Sequence, residues 1–296
     1  MNRIGTLFIF SGTILFLFVT MSCRSMEESA PAATPVSGAS RDAAELPERG
    51  AIEASIRRLV TYDGCSDLTT DLRLTATDAA GKREQIDLRV QRRFDDTASQ
   101  TFLRVLAPAD EIDKAILAIQ RKDQPTEAFS WLPGLKKLAK LSSGRSLGFH
   151  GARVTVQELL GLELGQYTWQ VEGLSKEATG ESLVKVAFAE RPDFGLAFPK
   201  ITGYFDRSSL LPVRFELLSA SGEILKRIVV GKIESIESRQ TLTRLTIEDI
   251  SQKLLLTLDT SKVDYDRGLK LEEFTEDRLK RTVSAAAGRV DSAKGH

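Results

Sequence analysis

The sequence has 296 residues, of which 42% are hydrophobic and 28% are charged, and its 41 basic residues balance its 41 acidic residues. This composition is ordinary for a globular protein. The balanced charge gives no net field that would attract nucleic acid, so we expect no nucleic acid partner.

An N-terminal targeting segment occupies residues 1–22. Arg3 supplies a positive charge, and residues 6–21 form an almost unbroken apolar run without any charge, as in a signal peptide. Ser22 and Cys23 end this run and resemble the lipobox of bacterial lipoproteins, in which the cysteine becomes the lipidated N-terminus. We predict a lipoprotein signal peptide and a lipid anchor on Cys23, with an uncleaved membrane anchor as the alternative.

Polar segments flank the predicted folded domain on both sides. Residues 23–47 are rich in Ala, Ser, Pro and Glu and lack apolar periodicity, which predicts a lipidated flexible tether. Residues 48–281 are assigned to one folded domain. Residues 282–296 are predicted to be a disordered tail.

The folded domain begins with a helix and continues as strands. Apolar residues recur at helical spacing between residues 48 and 62, which predicts one amphipathic helix. From Leu72 to Leu258, apolar and polar residues alternate in about ten or eleven short segments, the pattern of an antiparallel sheet. Because strands twist and one face is apolar, we predict a mainly β (α+β) fold, a strongly curved half-barrel with a few helices over its concave face.

The stretch from Phe129 to Gly165 interrupts the strand pattern. Leucines and lysines are interleaved in its first part, and a Gly/Ser-rich loop follows. Thr155 and Glu158 then have the spacing of a capping box, so a short helix should start there and end at Gly161. We expect this stretch to lie across the sheet as the rim and lid of an apolar cavity.

Three segments carry a resemblance to a known family. They are Phe102–Ile119 (FLRVLAPADEIDKAILAI), Trp131–Leu138 (WLPGLKKL) with the Phe-His-Gly that follows it, and Leu211–Glu216 (LPVRFE) through to Leu279. In order and spacing the chain resembles the outer-membrane lipoprotein-sorting (LolA/LolB-like) superfamily, and in particular its lipoprotein-sorting-like branch. The resemblance implies a hydrophobic cavity for acyl chains or another amphiphile.

Seven residues in and around the unusual stretch are candidate cavity or lid contacts, because aromatic and leucine side chains offer large apolar surfaces. They are Trp131, Leu132, Leu135, Leu138, Leu141, Phe149 and Trp169. The alternatives are that both tryptophans are ordinary core residues, and that the Leu/Lys run is a surface-exposed edge element with a solvated basic face.

Catalytic chemistry has little support in the sequence. The two histidines, His150 and His296, cannot form a metal cluster or a convincing triad. No glycine-rich phosphate loop is present. We therefore predict no enzyme activity, no metal and no cofactor, and we expect Cys65 to be a buried or half-buried thiol.

Two functional hypotheses follow from the sequence and the resemblance. The first is a membrane-anchored periplasmic lipoprotein that binds lipid, or the acyl chains of lipoproteins, during transport to the outer membrane. The alternative is an adaptor or envelope-stress sensor of the same fold that contacts a membrane protein partner. Arg24 follows the anchor cysteine, and it favours the outer over the inner membrane because the usual retention signal for the inner membrane is Asp at this position.

Overall fold

The computed structural model describes residues 46–61, 64–121, 123–132, 135–149, 152–177 and 180–294. The predicted signal peptide, the anchor at Cys23 and most of the predicted tether lie outside these residues. The described residues belong to one compact unit, Glu45–His296.

Thirteen of the fifteen strands in the described residues form one curved, open antiparallel sheet, and the other two form a hairpin. In chain order the strands are β1 (Asp67–Thr77), β2 (Arg83–Phe94), β3 (Ala98–Ala107), β4 (Ala115–Arg121), β5 (Glu127–Leu132), β6 (Lys137–Leu141), β7 (Ser146–Phe149), β8 (Ala152–Thr155), β9 (Tyr167–Lys176), β10 (Ser182–Glu190), β11 (Lys200–Asp206), β12 (Pro212–Leu218), β13 (Ile224–Ile236), β14 (Arg239–Asp249) and β15 (Leu254–Tyr265). The predicted fold class, a mainly β protein built on a curved antiparallel sheet, is confirmed. The strand number exceeds the predicted ten or eleven because the Leu/Lys run forms β6 and the Gly/Ser-rich region contains the β7–β8 hairpin.

The order of strands in the sheet is β6-β5-β4-β3-β2-β1-β15-β14-β13-β12-β11-β10-β9. Every neighbouring pair except β1 and β15 is also consecutive in the chain. The two edge strands, β6 and β9, are joined by residues 142–166, which contain the β7–β8 hairpin and helix α2 (Val156–Leu160). The connecting segment therefore runs from one edge of the open sheet to the other, and it includes the second half of the stretch that interrupts the strand pattern.

Apolar residues on the two faces of the sheet belong to two separate clusters. Leu103 lies in the larger cluster, which also contains Ile52 and Ile56 of helix α1 (Arg49–Thr61) and the apolar residues of α2. Phe102, the adjacent residue in β3, lies in the smaller cluster. Because successive side chains of a strand point to opposite faces, α1 and α2 cover the inner face and the smaller cluster lies on the outer face.

The C-terminal helix α3 (Glu276–Lys294) packs on the outer face. Leu279 and Val283 have exposed fractions of 0% and pack with Phe102 and Leu117 of the sheet. Residues 282–294, which the sequence assigns to a disordered tail, have a helical backbone in the structure. Its composition is mostly polar, but two apolar residues at a spacing of four are enough to attach a helix to an apolar sheet face.

Where β1 meets β15, the chain is held by a buried carboxylate. Asp67 accepts backbone N–H hydrogen bonds from Arg267 (2.9 Å), Gly268 (2.9 Å) and Leu269 (3.2 Å). Cys65 lies just before β1 and is 4% exposed. Burial raises the pKa of its thiol to about 11, so the predicted buried thiol is confirmed and it is protonated at neutral pH.

We predict that Gly203→Ala destabilises the fold by about 1–3 kcal/mol, because small-to-large changes in a packed core force neighbouring groups to move. A Cβ atom at Gly203 would lie 2.9 Å from the ring of Phe205 and 3.0 Å from the ring of Phe188. Chemical denaturation measures the change. Gly50→Ala is the control, because a Cβ there meets no atom within 4 Å, and equal stability of the two variants would contradict the packing.

Candidate ligand-binding cavity

A cavity of about 310 Å³ lies between the inner face of the sheet and the covering helices. Most of the side chains that line it are apolar. Those from the sheet are Leu68, Leu72, Val90, Pro212, Phe215, Ile228, Val230, Leu242, Leu245, Ile247, Leu258, Val263 and Tyr265. Those from outside the sheet are Leu159, Leu162, Leu164 and Leu211.

The apolar lining is concentrated toward one end of the cavity. The register of β13, β14 and β15 places lining residues in rows across the strands. One row pairs Ile228 with Ile247, and the next joins Val230, Leu245 and Leu258. These two rows are wholly apolar.

Polar groups enter the wall toward the start of β1. In this direction Leu72 pairs with Thr260, and Thr70 pairs with Val90. The last row contains Leu68, which pairs with Arg92 on β2 and with Tyr265 on β15. The wall therefore changes from apolar to mixed along the strand direction.

Helix α2 is held in place by its own capping box. The Thr155 N–H donates to Glu158 Oε2 at 2.8 Å, and the Glu158 N–H donates to Thr155 Oγ1 at 3.2 Å. Gly161 ends the helix. The predicted capping box and helix end are confirmed, since both depend on residues within one helical turn.

A buried ion cluster ties α2 to the sheet. Lys226 Nζ lies 2.8 Å from Glu158 Oε1 and 3.0 Å from Asp249 Oδ2, and all three side chains have exposed fractions of 8% or less. Burial raises the pKa of Asp249, but hydrogen bonds from Ser251 and the Gln252 backbone, together with the Lys226 ammonium, hold it below its ordinary value. Glu158 also lines the cavity, so the cluster fixes part of the cavity wall.

A second buried pair lies near the polar end. Arg92, whose side chain is 5% exposed, has its Nη1 3.5 Å from Glu163 Oε1. Burial raises the pKa of Glu163, and the Arg92 charge and a hydrogen bond with Gln120 oppose this shift without cancelling it. Arg92 lines the cavity.

Of the seven candidate contacts, the six whose side chains the structure describes do not line this cavity. Trp131 and Leu138 face each other across β5 and β6 and pack against the outer cluster under α3. Leu132 and Leu135 are exposed. The alternative of an exposed edge element fits the Leu/Lys run, because β6 is an edge strand of the sheet.

The remaining candidates lie on the inner side or are described only in part. Leu141 and Trp169 are half-buried and pack against the inner cluster, and the Arg49 guanidinium lies 5.8 Å from the centre of the Trp169 ring. Phe149 is the last residue of β7, and only its backbone is described.

The residues that do line the cavity come from strands at the two ends of the chain. The alternation of apolar and polar residues in β1 and β13–β15 indicated which side chains share the inner face. The pairing of β1 with β15, however, joins positions about 190 residues apart. No local pattern indicates that contact.

Three solved structures share this fold. One is a domain from Vibrio parahaemolyticus described as an outer-membrane lipoprotein-sorting protein domain (TM-score 0.68, 18% identity, covering 78% of this chain and 98% of that chain). Another is a DUF1329 family protein from Desulfovibrio piger (TM-score 0.68, 16% identity, covering 79% and 100%). The third is a LolA superfamily protein from Nitrosomonas europaea (TM-score 0.65, 17% identity, covering 77% and 98%).

These similarities define the molecule as a protein of LolA-like fold, and they confirm the resemblance seen in the sequence. A family model described as "uncharacterized protein" matches residues 97–281. Because the match covers more than half of the 296 residues, the chain belongs to that family. No curated protein matches the sequence.

The part of the chain that the structure describes contains no group of three or more His, Cys, Asp or Glu side chains placed to hold a metal ion. In the same residues, no helix has both the length and the apolar composition needed to cross a membrane.

We predict that Lys226→Met destabilises the protein by roughly 3–5 kcal/mol at neutral pH, because it leaves two buried carboxylates without their cation. The folded-state pKa of Asp249 is depressed, so its stabilising contribution is present above its ordinary pKa and is lost as the pH falls through the folded value. In the variant Asp249 takes up a proton more readily, because the Lys226 charge that lowers its pKa is gone. The stability difference from the unchanged protein should therefore shrink below about pH 4.

Denaturant titrations over a range of pH test this expectation. Lys232→Met on the same strand is the matched control, because Lys232 and its partner Glu234 are exposed at 59% and 43% and such pairs contribute little. If Lys226→Met lowers the free energy of unfolding no more than Lys232→Met does, or by an amount that is independent of pH, the cluster does not hold α2.

Proposed function

We propose that the protein binds a lipid, or the acyl chains of a lipoprotein, in the cavity between the sheet and its covering helices. The observation that carries this proposal is the cavity itself, about 310 Å³ in volume and lined mainly by aliphatic side chains. Its size falls in the range of small-molecule binding sites, roughly 300–1,000 Å³.

The cavity is partly open to solvent and is not filled by side chains of the protein. Interiors are packed about as densely as organic crystals, with few voids larger than a water molecule. A water molecule occupies about 30 Å³ in the liquid, and an aliphatic wall offers water few hydrogen bonds. The cavity therefore suits an apolar guest better than it suits solvent.

Burial would drive the binding. Each methylene removed from water contributes about 0.8 kcal/mol, so an inserted segment of about eight methylenes would contribute about 6 kcal/mol before the cost of immobilisation. The wholly apolar rows Ile228–Ile247 and Val230–Leu245–Leu258 are the proposed contacts for the acyl chain.

The fold supports the proposal independently of the cavity. Two proteins of the same fold are described as an outer-membrane lipoprotein-sorting protein domain and as a LolA superfamily protein. By analogy, we propose that this chain acts on the periplasmic side of a bacterial envelope in the transport of lipids or lipoproteins, held by a lipid on Cys23, with the outer membrane favoured. Such a protein acts by binding, without catalysis, metal or cofactor.

Leu258→Trp should weaken binding of an acyl probe by at least about tenfold, because an indole ring would occupy the space that the chain needs. The measurement is fluorescence titration with cis-parinaric acid on a chain that begins after Cys23. Leu255→Trp is the matched control on the same strand. Leu255 is 43% exposed, and its parity in β15 places it on the opposite face from Leu258.

Thermal unfolding of both variants separates loss of the cavity from loss of the fold. Equal probe affinity in both variants would mean that the probe binds elsewhere. If the unchanged protein binds no probe and carries no amphiphile, the lipid-binding proposal fails and the adaptor or sensor hypothesis takes its place.

Cys23→Ala should abolish fatty-acid labelling of the full-length protein and leave its apolar segment uncleaved, because acylation of that cysteine is the proposed anchor and precedes cleavage. Metabolic labelling with a fatty acid, followed by membrane fractionation, measures both lipid attachment and location. Unchanged fatty-acid labelling in the variant would refute the lipoprotein assignment.

A further inference from the structure

The polar end of the cavity is built from hydroxyl groups and a buried cation. Thr70 and Thr260 lie in the wall between the apolar rows and the Arg92 row. In the last row, Tyr265 OH and Thr241 Oγ1 are hydrogen-bonded at 2.8 Å. These hydroxyl groups and the Arg92 guanidinium make this the end of the wall where a polar group of the ligand would cost least to bury.

Arg58 adds a cation at the same end. It lies in the last turn of α1, which ends at Thr61, and β1 begins only six residues later at Asp67. This short connection brings the end of α1 close to the start of β1, where the polar rows lie. Arg58 is exposed and lines the cavity, and it forms no ion pair with any residue that the structure describes.

The charges of the lining are mostly positive. Arg58, Arg92 and Arg244 line the cavity, whereas Glu158 is the one acidic residue among the described lining residues. Glu158 is bound by Lys226, and Arg244 Nε lies 2.5 Å from Asp259 Oδ1. Arg58 is therefore the cation best placed to meet a charge brought by the ligand.

We propose that the cavity selects amphiphiles with an anionic headgroup, a carboxylate or a phosphate, which Arg58 binds while the acyl chain extends toward the Ile228–Ile247 row. The inference rests on the proposed lipid-binding function and specifies its ligand class. A guanidinium matches the geometry of carboxylate and phosphate oxygens. The opposite orientation would bury the headgroup among aliphatic side chains and near the Glu158 carboxylate, whose partner Lys226 lies two residues from Ile228 in β13, at a high desolvation cost.

A series of ligands that share one dodecyl-length chain tests the headgroup alone. Laurate and dodecyl phosphate are anionic, monolaurin is neutral, and dodecyltrimethylammonium is cationic. Each displaces the neutral fluorescent probe N-phenyl-1-naphthylamine from the full folded domain. We expect the anionic ligands to bind about tenfold more tightly than monolaurin, as one charge-assisted contact allows, and the cationic ligand to bind most weakly.

Three variants connect the preference to Arg58. Arg58→Gln should reduce the anionic preference to within about twofold, and Arg58→Lys should keep most of it because the charge remains. Arg281→Gln is the control, since Arg281 is an exposed helical arginine on α3, the helix of the outer face. The measurement is selective, because affinity for monolaurin should stay the same in all three variants.

The outcomes separate the ligand class from the function. A stronger preference for dodecyl phosphate identifies a phospholipid-like headgroup, and one for laurate identifies a fatty acid; either result supports the proposal. Equal affinity for monolaurin and both anions, or an anionic preference that persists in Arg58→Gln, overturns the headgroup proposal. Neither result contradicts the proposal that the cavity binds lipid. Failure of the neutral probe to bind overturns both.

Discussion

The structure depends on one topological constraint, which is that the chain leaves the sheet at one edge and returns at the other. Strands β6 and β9 are the two edges of an open sheet, so residues 142–166 must run from one edge to the other. The inner face is apolar and needs cover. The crossing segment and α1 provide that cover, but α2 is only five residues long, and a cavity remains between them and the strands.

A short helix over an apolar surface needs a firm attachment, and Glu158 provides it twice. Its carboxylate caps its own helix through Thr155 and also binds Lys226, 68 residues away in the sequence. Burying these charges costs desolvation, so the ion cluster is weak support for stability by itself. Its effect on the position of α2 is larger. Charged groups that must stay paired can be arranged in few ways, whereas aliphatic side chains can pack in many. The cavity wall is therefore fixed at α2 before any ligand enters.

The parts of the fold that depend on neighbouring residues were predictable from sequence. Strand alternation, the amphipathic first helix and the Thr155–Glu158 capping box are all local signals, and the structure contains all of them. The curled sheet and its covering stretch supplied the expectation of a cavity, and the family resemblance supplied the expectation of an acyl ligand. The full length of helix α3 escaped prediction because its attachment depends on an outer sheet face that no pattern in its own polar sequence indicates.

The lining of the cavity was not predictable, because it depends on register and on distant pairing. Trp131 and Leu138 had the expected apolar character, but in a strand a shift of one residue exchanges the faces. Their positions in β5 and β6 place their side chains on the outer face of the sheet, under α3, and not in the cavity. The true lining is assembled where β1 meets β15, and the Glu158–Lys226 contact has the same long-range character.

The most direct measurement of the central claim is mass spectrometry of whatever the purified protein carries. The chain from residue 24 onward, preceded by a cleavable signal peptide that has no acylated cysteine, is exported to the periplasm, purified without detergent and extracted with organic solvent. The account predicts an amphiphile with an acyl chain, in an amount close to one molecule per protein, and its loss from the protein carrying Leu258→Trp. An extract free of amphiphile from the unchanged protein, or equal amounts from both proteins, would contradict the account.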